Sequence, residues 1–349
     1  MKHLAILFLA ALPLLGADSL GVSLLGRFTA TSPADMVIHE NRAYVANNSG
    51  GLQILDVSDP SSISELGYQF LPGSATGISM LPGGMVAVAC SDSALRIMDP
   101  SVPSSITMEG IYESPTPVHR CHSAGNTVYL NGGAFRIVDV SSPSSPADIG
   151  SFSPVFDAAN FAVEPPLALL AEKNYGLSAI DISDPASPAS IDHYMALEEY
   201  VNCAAISDFG IVCAGSRNGI HLYEDQGDSL AEIGFYETPA HVFDLAFDGI
   251  YLFAACADSG LRVLDVSDPA HPVETGYYVL GSDCRGLFVD YPLAWVFSED
   301  ARINAMDISP FPGIREVGRP AAAAISRYPN PFNAALSVRS APLSEIEIR

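Results

Sequence analysis

The sequence predicts an all-β chain: a seven-bladed β-propeller of four-stranded antiparallel blades. Three observations predict it. A short motif recurs, first as Gly51-Leu52-Gln53-Ile54-Leu55-Asp56-Val57-Ser58-Asp59-Pro60 and again, almost unchanged, as Gly260-Leu261-Arg262-Val263-Leu264-Asp265-Val266-Ser267-Asp268-Pro269. Related copies end at Asp99, Asp139, Asp181, Glu224 and Asp307, so seven copies follow one another at 40 to 43 residues. That interval is a propeller-blade period, longer than the coils of a parallel solenoid, the main structural rival. Each copy also contains short β-rich runs between Gly, Asp, Asn and Pro clusters, the chemistry of hairpin turns. No long helical periodicity competes with them.

The elements follow in order. Lys2 and His3 precede an apolar run from Leu4 to Leu15, which has the length of a signal-peptide core and is too short to span a bilayer. Residues 1–17 are therefore expected to be a signal peptide, and the protein to be secreted or held at a bacterial cell surface. Ser23-Leu24-Leu25-Gly26-Arg27-Phe28 matches the pattern of a blade's fourth strand, as in Glu65-Leu66-Gly67-Tyr68 and Glu232-Ile233-Gly234-Phe235. Because it precedes the first inner strand, it is expected to pair into the seventh blade and close the ring, removing edges that would invite aggregation. Arg315-Glu316-Val317-Gly318-Arg319 carries a similar pattern and is the competing candidate. The sixth copy shows a whole blade: strands at Val242 to Phe247, Tyr251 to Ala255, Leu261 to Val266 and Val273 to Tyr278. The propeller is placed at residues 20–319, a linker at 320–326, and the start of a further domain at 327–349.

Composition narrows the partners. The 349 residues carry 16 Lys+Arg against 40 Asp+Glu, a net charge of −24, which excludes a nucleic-acid backbone and disfavours an anionic membrane surface. With 48% hydrophobic and 16% charged residues the chain is not disordered. No later stretch is long and apolar enough for membrane insertion of the mature chain. Cys90, Cys121, Cys203, Cys213, Cys256 and Cys284 include no C-x-x-C, so zinc and redox spacings are missing. Cys203 and Cys213 flank one hairpin and could form a disulfide if directly opposed, although buried thiols are the simpler reading.

The recurring motif, Leu261-Arg-Val-Leu-Asp265 and Leu52-Gln-Ile-Leu-Asp56, resembles the LVIVD repeat, and the likeness extends over residues 22 to 319. It implies a propeller on exported or surface proteins and implies no particular reaction. The fifth copy departs from it, with Glu224-Asp225-Gln226-Gly227-Asp228 at the turn, and the seventh has Pro310 in place of the second Asp. Farther on, Tyr328-Pro329-Asn330-Pro331-Phe332-Asn333 resembles the opening of immunoglobulin-like C-terminal sorting domains of type IX secretion cargo, and of flagellar-hook-cap-like proteins. Ala334 stands where a Pro commonly follows, and the chain stops inside a strand-like run, so this domain is expected to be truncated.

Candidate sites follow from the architecture. The Asp-x-Ser-Asp-Pro turns (Asp56/Asp59, Asp181/Asp184, Asp265/Asp268) could supply oxygen ligands to calcium, or simply accept hydrogen bonds from turn amides. Aligning the copies gives one channel position per blade: Asp35, Gly77, Cys121, Asn160, Cys203, Asp244 and Gly286, with His119, His122, His241 and Arg285 nearby. These residue types can ligate a transition metal or activate a nucleophile, but polar groups at a wet channel need no such role. The connections from each fourth strand to the next inner strand are the most dissimilar segments, and loops of that kind on a rigid scaffold are where binding sits. They point to His119, Arg120, Asp157, Glu198, Glu199, His241 and Asp283 to Arg285, the channel mouth adds Asp244, and the second-to-third-strand loops add Asn47-Asn48-Ser49 and Arg217-Asn218. Gly227-Asp228-Ser229-Leu230 matches the GDSL tetrapeptide but falls in a blade turn instead of after an early α/β strand.

The expectation is an exported, non-catalytic scaffold that presents its propeller face to an extracellular protein or glycan and requires no cofactor. The competing reading is a secreted hydrolase or lyase at the channel mouth, using His119, His241, Arg285, Asp157 or Asp244. A third is a structural role in the cell envelope.

Overall fold

The computed structural model describes residues 19–154, 156, 158–194 and 200–312. The expected signal peptide, Asp157, Glu198, Glu199, the Arg315–Arg319 run and the expected C-terminal sorting segment lie outside the described residues. Seven antiparallel sheets form the blades of a propeller. Their inner strands are Asp35–His39, Ala75–Met80, Val118–Ala124, Asn160–Glu164, Cys203–Ile206, Val242–Asp248 and Cys284–Asp290. In blades 1 to 6 the four strands follow in chain order from inner to outer. Blade 7 is composite. Its outer strand is Ser23–Thr29, paired with Arg302–Asp307 so that Phe28 lies opposite Ile303. Just upstream, Ser19–Leu20 adds a fifth strand to blade 6 against Val273–Tyr278.

Packing between blades follows from their sequence. Second strands such as Val86–Cys90 are buried on both faces, which is why they read as continuous apolar runs instead of alternating ones. Seven apolar clusters fill the interfaces. One joins Tyr44, Leu52 and Ile54 of blade 1 to Ile78, Val86 and Val88 of blade 2. The cluster between blades 7 and 1 sets Trp295 and Phe297 against Met36, Ala43 and Val45. Trp295, the chain's single tryptophan, is 1% exposed in that seam.

The repeated turn and the fourth-strand glycine are two halves of one joint. Asp56, Asp139, Asp181 and Asp265 accept a hydrogen bond from the amide two residues on, at 2.8 to 3.0 Å, and Asp59, Asp184 and Asp268 do the same at 2.9 to 3.2 Å. These bonds to turn amides and Ser hydroxyls hold Asp56 and Asp59 below the ordinary carboxylate pKa. The turn so fixed presents its proline carbonyl to the preceding blade. There Gly67 faces Pro103, Gly110 faces Pro143, Gly150 faces Pro185 and Gly234 faces Pro269, each so closely that a Cβ would overlap the carbonyl oxygen. Each outer strand has a β-bulge beside this position, for example between Met108 and Gly110 opposite Met98 and Ile97. The extra residue bends the strand around its neighbour's turn.

The departures in copies five and seven have structural counterparts. Blade 5 lacks the proline turn, and blade 4 carries Asp192 where the others have glycine. The Asp192 carboxylate accepts from the Leu230 amide of blade 5 at 3.0 Å, replacing packing with a hydrogen bond. Blade 7 has Pro310-Phe311, and the Phe311 ring lies against Gly276 and meets Tyr251 edge-on.

The variable second position of the motif is polar in all seven copies. In blades 2, 3 and 6 it pairs as Arg96–Asp92, Arg136–Asp148 and Arg262–Glu274, at 2.5 to 3.0 Å. In blade 4, Ser178 donates to buried Glu172, whose burial raises its pKa while His193 stands 3.4 Å from it. In blade 5 His221 pairs with Glu232 at 2.9 Å, and some of these acids also bridge blades: the Tyr112 hydroxyl of blade 2 donates to Asp148 of blade 3, and Tyr194 of blade 4 to Glu232 of blade 5. Such partners are required because a buried polar group left unpaired is costly.

Candidate functional site

All seven inner strands line a cavity of about 540 Å³ along the channel. Strand register places Asp35, Gly77, Asn160, Cys203, Asp244 and Gly286 at one level, as the sequence alignment expected. In blade 3 the expected residue is corrected. Arg120, opposite Asn131, occupies the ring position, whereas Cys121 lies one step farther along, opposite Leu130. A bulge between Val118 and Arg120 shifts the phase of the strand, which sequence alternation cannot show. The Cys121 thiol turns into the blade 2–3 core, 3.5 Å from the Ala87 carbonyl, and burial raises its pKa far above the ordinary thiol value.

The ring carboxylates clip blades together. Asp35 accepts from its neighbour Met36 N and from Ile78 N of blade 2, both at 2.9 Å. Asp244 likewise accepts from Leu245 N at 3.1 Å and from Leu287 N of blade 7 at 3.0 Å. Burial raises both pKa values, Asp35 to about 6, and the Arg120 charge opposes the shift in each case. His122, two residues along from Arg120, is exposed, and partial desolvation by the channel walls lowers its pKa.

A second cluster lies where the connections into blades 5, 6 and 7 meet. The Arg217 guanidinium stands 5.7 Å over the Tyr200 ring; Tyr200 meets His241 edge-on at 6.1 Å; His241 lies 4.6 Å from Phe243; and Arg285 covers Phe243 at 4.2 Å. Three successive rings are thus flanked by a guanidinium at either end, each held by the attraction of charge to a π face. Asp283 and Glu299 hold Arg285 at 3.0 and 3.3 Å. Asn202 donates to the Val242 carbonyl at 2.9 Å and its amide contacts His241 Nε2. Partial burial, then Arg217 and Arg285, lower the His241 pKa, so the imidazole is neutral at pH 7.

Of the candidates read from sequence, the structure therefore brings His241 and Arg285 into one strip, with Arg217 from the adjoining loop. Arg120 and Asp244 belong to the channel ring. His119 is exposed at the blade 3 bulge, apart from both, and Asp157 lies outside the described residues. Tyr200 and Phe243 were missed. Phe243 is the extra residue of a bulge between Val242 and Asp244, so strict alternation gives it no special place.

The remaining features are structural. Cys203 lies opposite Gly215 and Cys213 opposite Ala205, so the two are not a directly opposed pair, and both are free, buried thiols. The carboxylates of the Asp-x-Ser-Asp-Pro turns are engaged with turn amides. Among the described residues no three His, Cys, Asp or Glu side chains converge as a metal site. Ser229 of the GDSL tetrapeptide sits in the exposed hairpin after Gly219–Asp225, and its carbonyl accepts from Gln226 N at 2.9 Å. No helix among the described residues is long and apolar enough to cross a membrane.

Seven sheets around a lined channel define a β-propeller scaffold. Five segments, residues 32–68, 72–114, 124–153, 157–196 and 240–279, match the LVIVD repeat and together cover more than half of the chain, which belongs to that family. No curated protein matches it. Among solved structures, the crystal structure of the computationally designed Ika8 protein is similar, with a TM-score of 0.59 over 80% of this chain and 98% of that one. At 11% sequence identity the likeness concerns fold alone.

Proposed function

We propose that this chain is an exported or cell-surface, non-catalytic scaffold that binds an extracellular protein or glycan through the face carrying the Arg217–Tyr200–His241–Phe243–Arg285 strip. Ser23–Thr29 is the strand that closes the ring, and the sorting segment begins after residue 326. The observation that carries this reading is the strip itself: two exposed arginines and three rings, converging from the loops and inner-strand ends of blades 5, 6 and 7. Aromatic and arginine side chains dominate recognition surfaces. The His241 nitrogen meets an asparagine amide instead of a hydroxyl or thiol, which speaks against an activated nucleophile there. Binding needs no cofactor in this reading.

A catalytic alternative, a hydrolase or lyase in the channel, draws on Asp35, whose pKa of about 6 suits a general acid or base. Both ring carboxylates, however, already hold two backbone amides each. The experiment is a binding screen of purified protein against glycan and surface-protein arrays, with His241→Ala and Arg285→Ala beside wild type, and a hydrolase and lyase panel in parallel. Binding lost in the variants without turnover supports the scaffold reading. Turnover abolished by Asp35→Asn, with no ligand captured, overturns it.

A further inference from the structure

We propose, resting on the binding-face reading above, that the ligand of the blade 5–7 strip is an acidic glycan whose uronate carboxylate is received by Arg217. Three features of the strip select this chemistry. The half-buried Tyr200, His241 and Phe243 rings form successive contacts of 4.6 to 6.1 Å, a line of aromatic surface against which the C–H side of a pyranose ring can pack. At one end, Asp283 and Glu299 flank Arg285 at 3.0 and 3.3 Å. This arrangement presents both acceptors and donors to a ligand rich in hydroxyls. At the other end Arg217 is exposed, with the Tyr200 ring beneath it.

Arg217 is the selective element. The arginines of blades 2, 3 and 6 and Arg285 each have a carboxylate at 2.5 to 3.3 Å, whereas Arg217 forms no such pair among the described residues. Among the described residues Arg27, Arg42 and Arg120 also lack such a pair, but of the two arginines in the strip only Arg217 does. Its planar fork is matched by a carboxylate, which it can hold through two parallel hydrogen bonds. The neutral His241 leaves the middle of the strip uncharged, as stacking on a sugar ring requires. A neutral glycan would use the rings and the Arg285 end and leave Arg217 idle; an acidic one uses both ends.

The test is calorimetric titration of the full chain with three hexasaccharides: hexagalacturonate, its fully methyl-esterified form, and cellohexaose. Wild type is compared with Arg217→Ala, Arg217→Lys, Tyr200→Ala and Arg285→Ala, each checked for an unchanged melting temperature. The expected result is that hexagalacturonate binds at least tenfold tighter than its methyl ester and that Arg217→Ala removes this preference. Arg217→Lys should restore only part of it, and raising the salt concentration should weaken the acidic ligand alone. Equal binding of all three sugars, still lost in Tyr200→Ala and Arg285→Ala, overturns the acidic-glycan proposal and leaves the binding face standing. Binding of hexagalacturonate that none of the four substitutions changes overturns both. Failure of every sugar, while a surface protein binds and is lost in Arg285→Ala, overturns the glycan but not the face.

Discussion

Gly110→Ala isolates the joint between blades 2 and 3. The added Cβ would overlap the Pro143 carbonyl oxygen, with the Pro143 carbonyl carbon at 2.9 Å and the Ser144 Cα at 3.1 Å, so the backbone of a neighbouring blade must retreat. None of these atoms belongs to a flexible side chain, which puts the change at the upper end of the overpacking range, about 2–3 kcal/mol. Gly110 does not occupy the left-handed region, so alanine also stiffens the unfolded chain and returns roughly 0.5–1 kcal/mol. The net expectation is a loss of about 1–2 kcal/mol, seen as a shift in the urea midpoint at constant slope. Met108→Ala, on the same strand but 54% exposed, is the matched control and should change stability by less than about 0.5 kcal/mol. If Gly110→Ala is as stable as Met108→Ala, the glycine is not the seat of the turn, and the repeated Asp-Pro element needs another explanation.

Three further outcomes follow from the structure. Asp192→Ala removes the carboxylate that substitutes for this joint between blades 4 and 5 and should cost about 1–2 kcal/mol in chemical denaturation. Asp35 has a folded pKa of about 6 against 3.8, so between those values the native state holds a proton that the unfolded chain has released. Its contribution is therefore fully present below pH 3.8 and is lost as pH rises through 6; relative to wild type, Asp35→Asn should gain up to about 3 kcal/mol between pH 4 and pH 7 in urea titrations, and a pH-independent difference would contradict the shift. Deleting residues 18 to 31 removes both N-terminal strands and should cause aggregation and a lower melting temperature in scanning calorimetry; an unchanged melting temperature would assign ring closure to the Arg315–Arg319 run.

The blade number and strand order were legible because every repeat restates them, and the Asp56 to Asp307 series fixes their spacing. The channel ring was nearly legible, failing at Cys121, where a bulge inserted before Arg120 breaks the count. The strip was half legible: His241 and Arg285 stand out as chemistry in dissimilar loops, but their neighbours Tyr200 and Phe243 come together only when three blades are set side by side. The role of the Asp-Pro turns was hidden for a related reason. The glycine that receives each turn lies on the preceding blade, and a motif read alone shows a possible ion ligand, not the surface it fits.

Trp295 makes one of these seams optically distinct. The interface holding Trp295 unites segments some 250 residues apart, and the seam between blades 6 and 7 likewise takes in Val22 from the N-terminal segment, connections whose chain entropy delays them until the rest has assembled. The intrinsic emission of the untouched protein thus reports the final event of folding, and in a stopped-flow trace its recovery should lag the far-ultraviolet ellipticity.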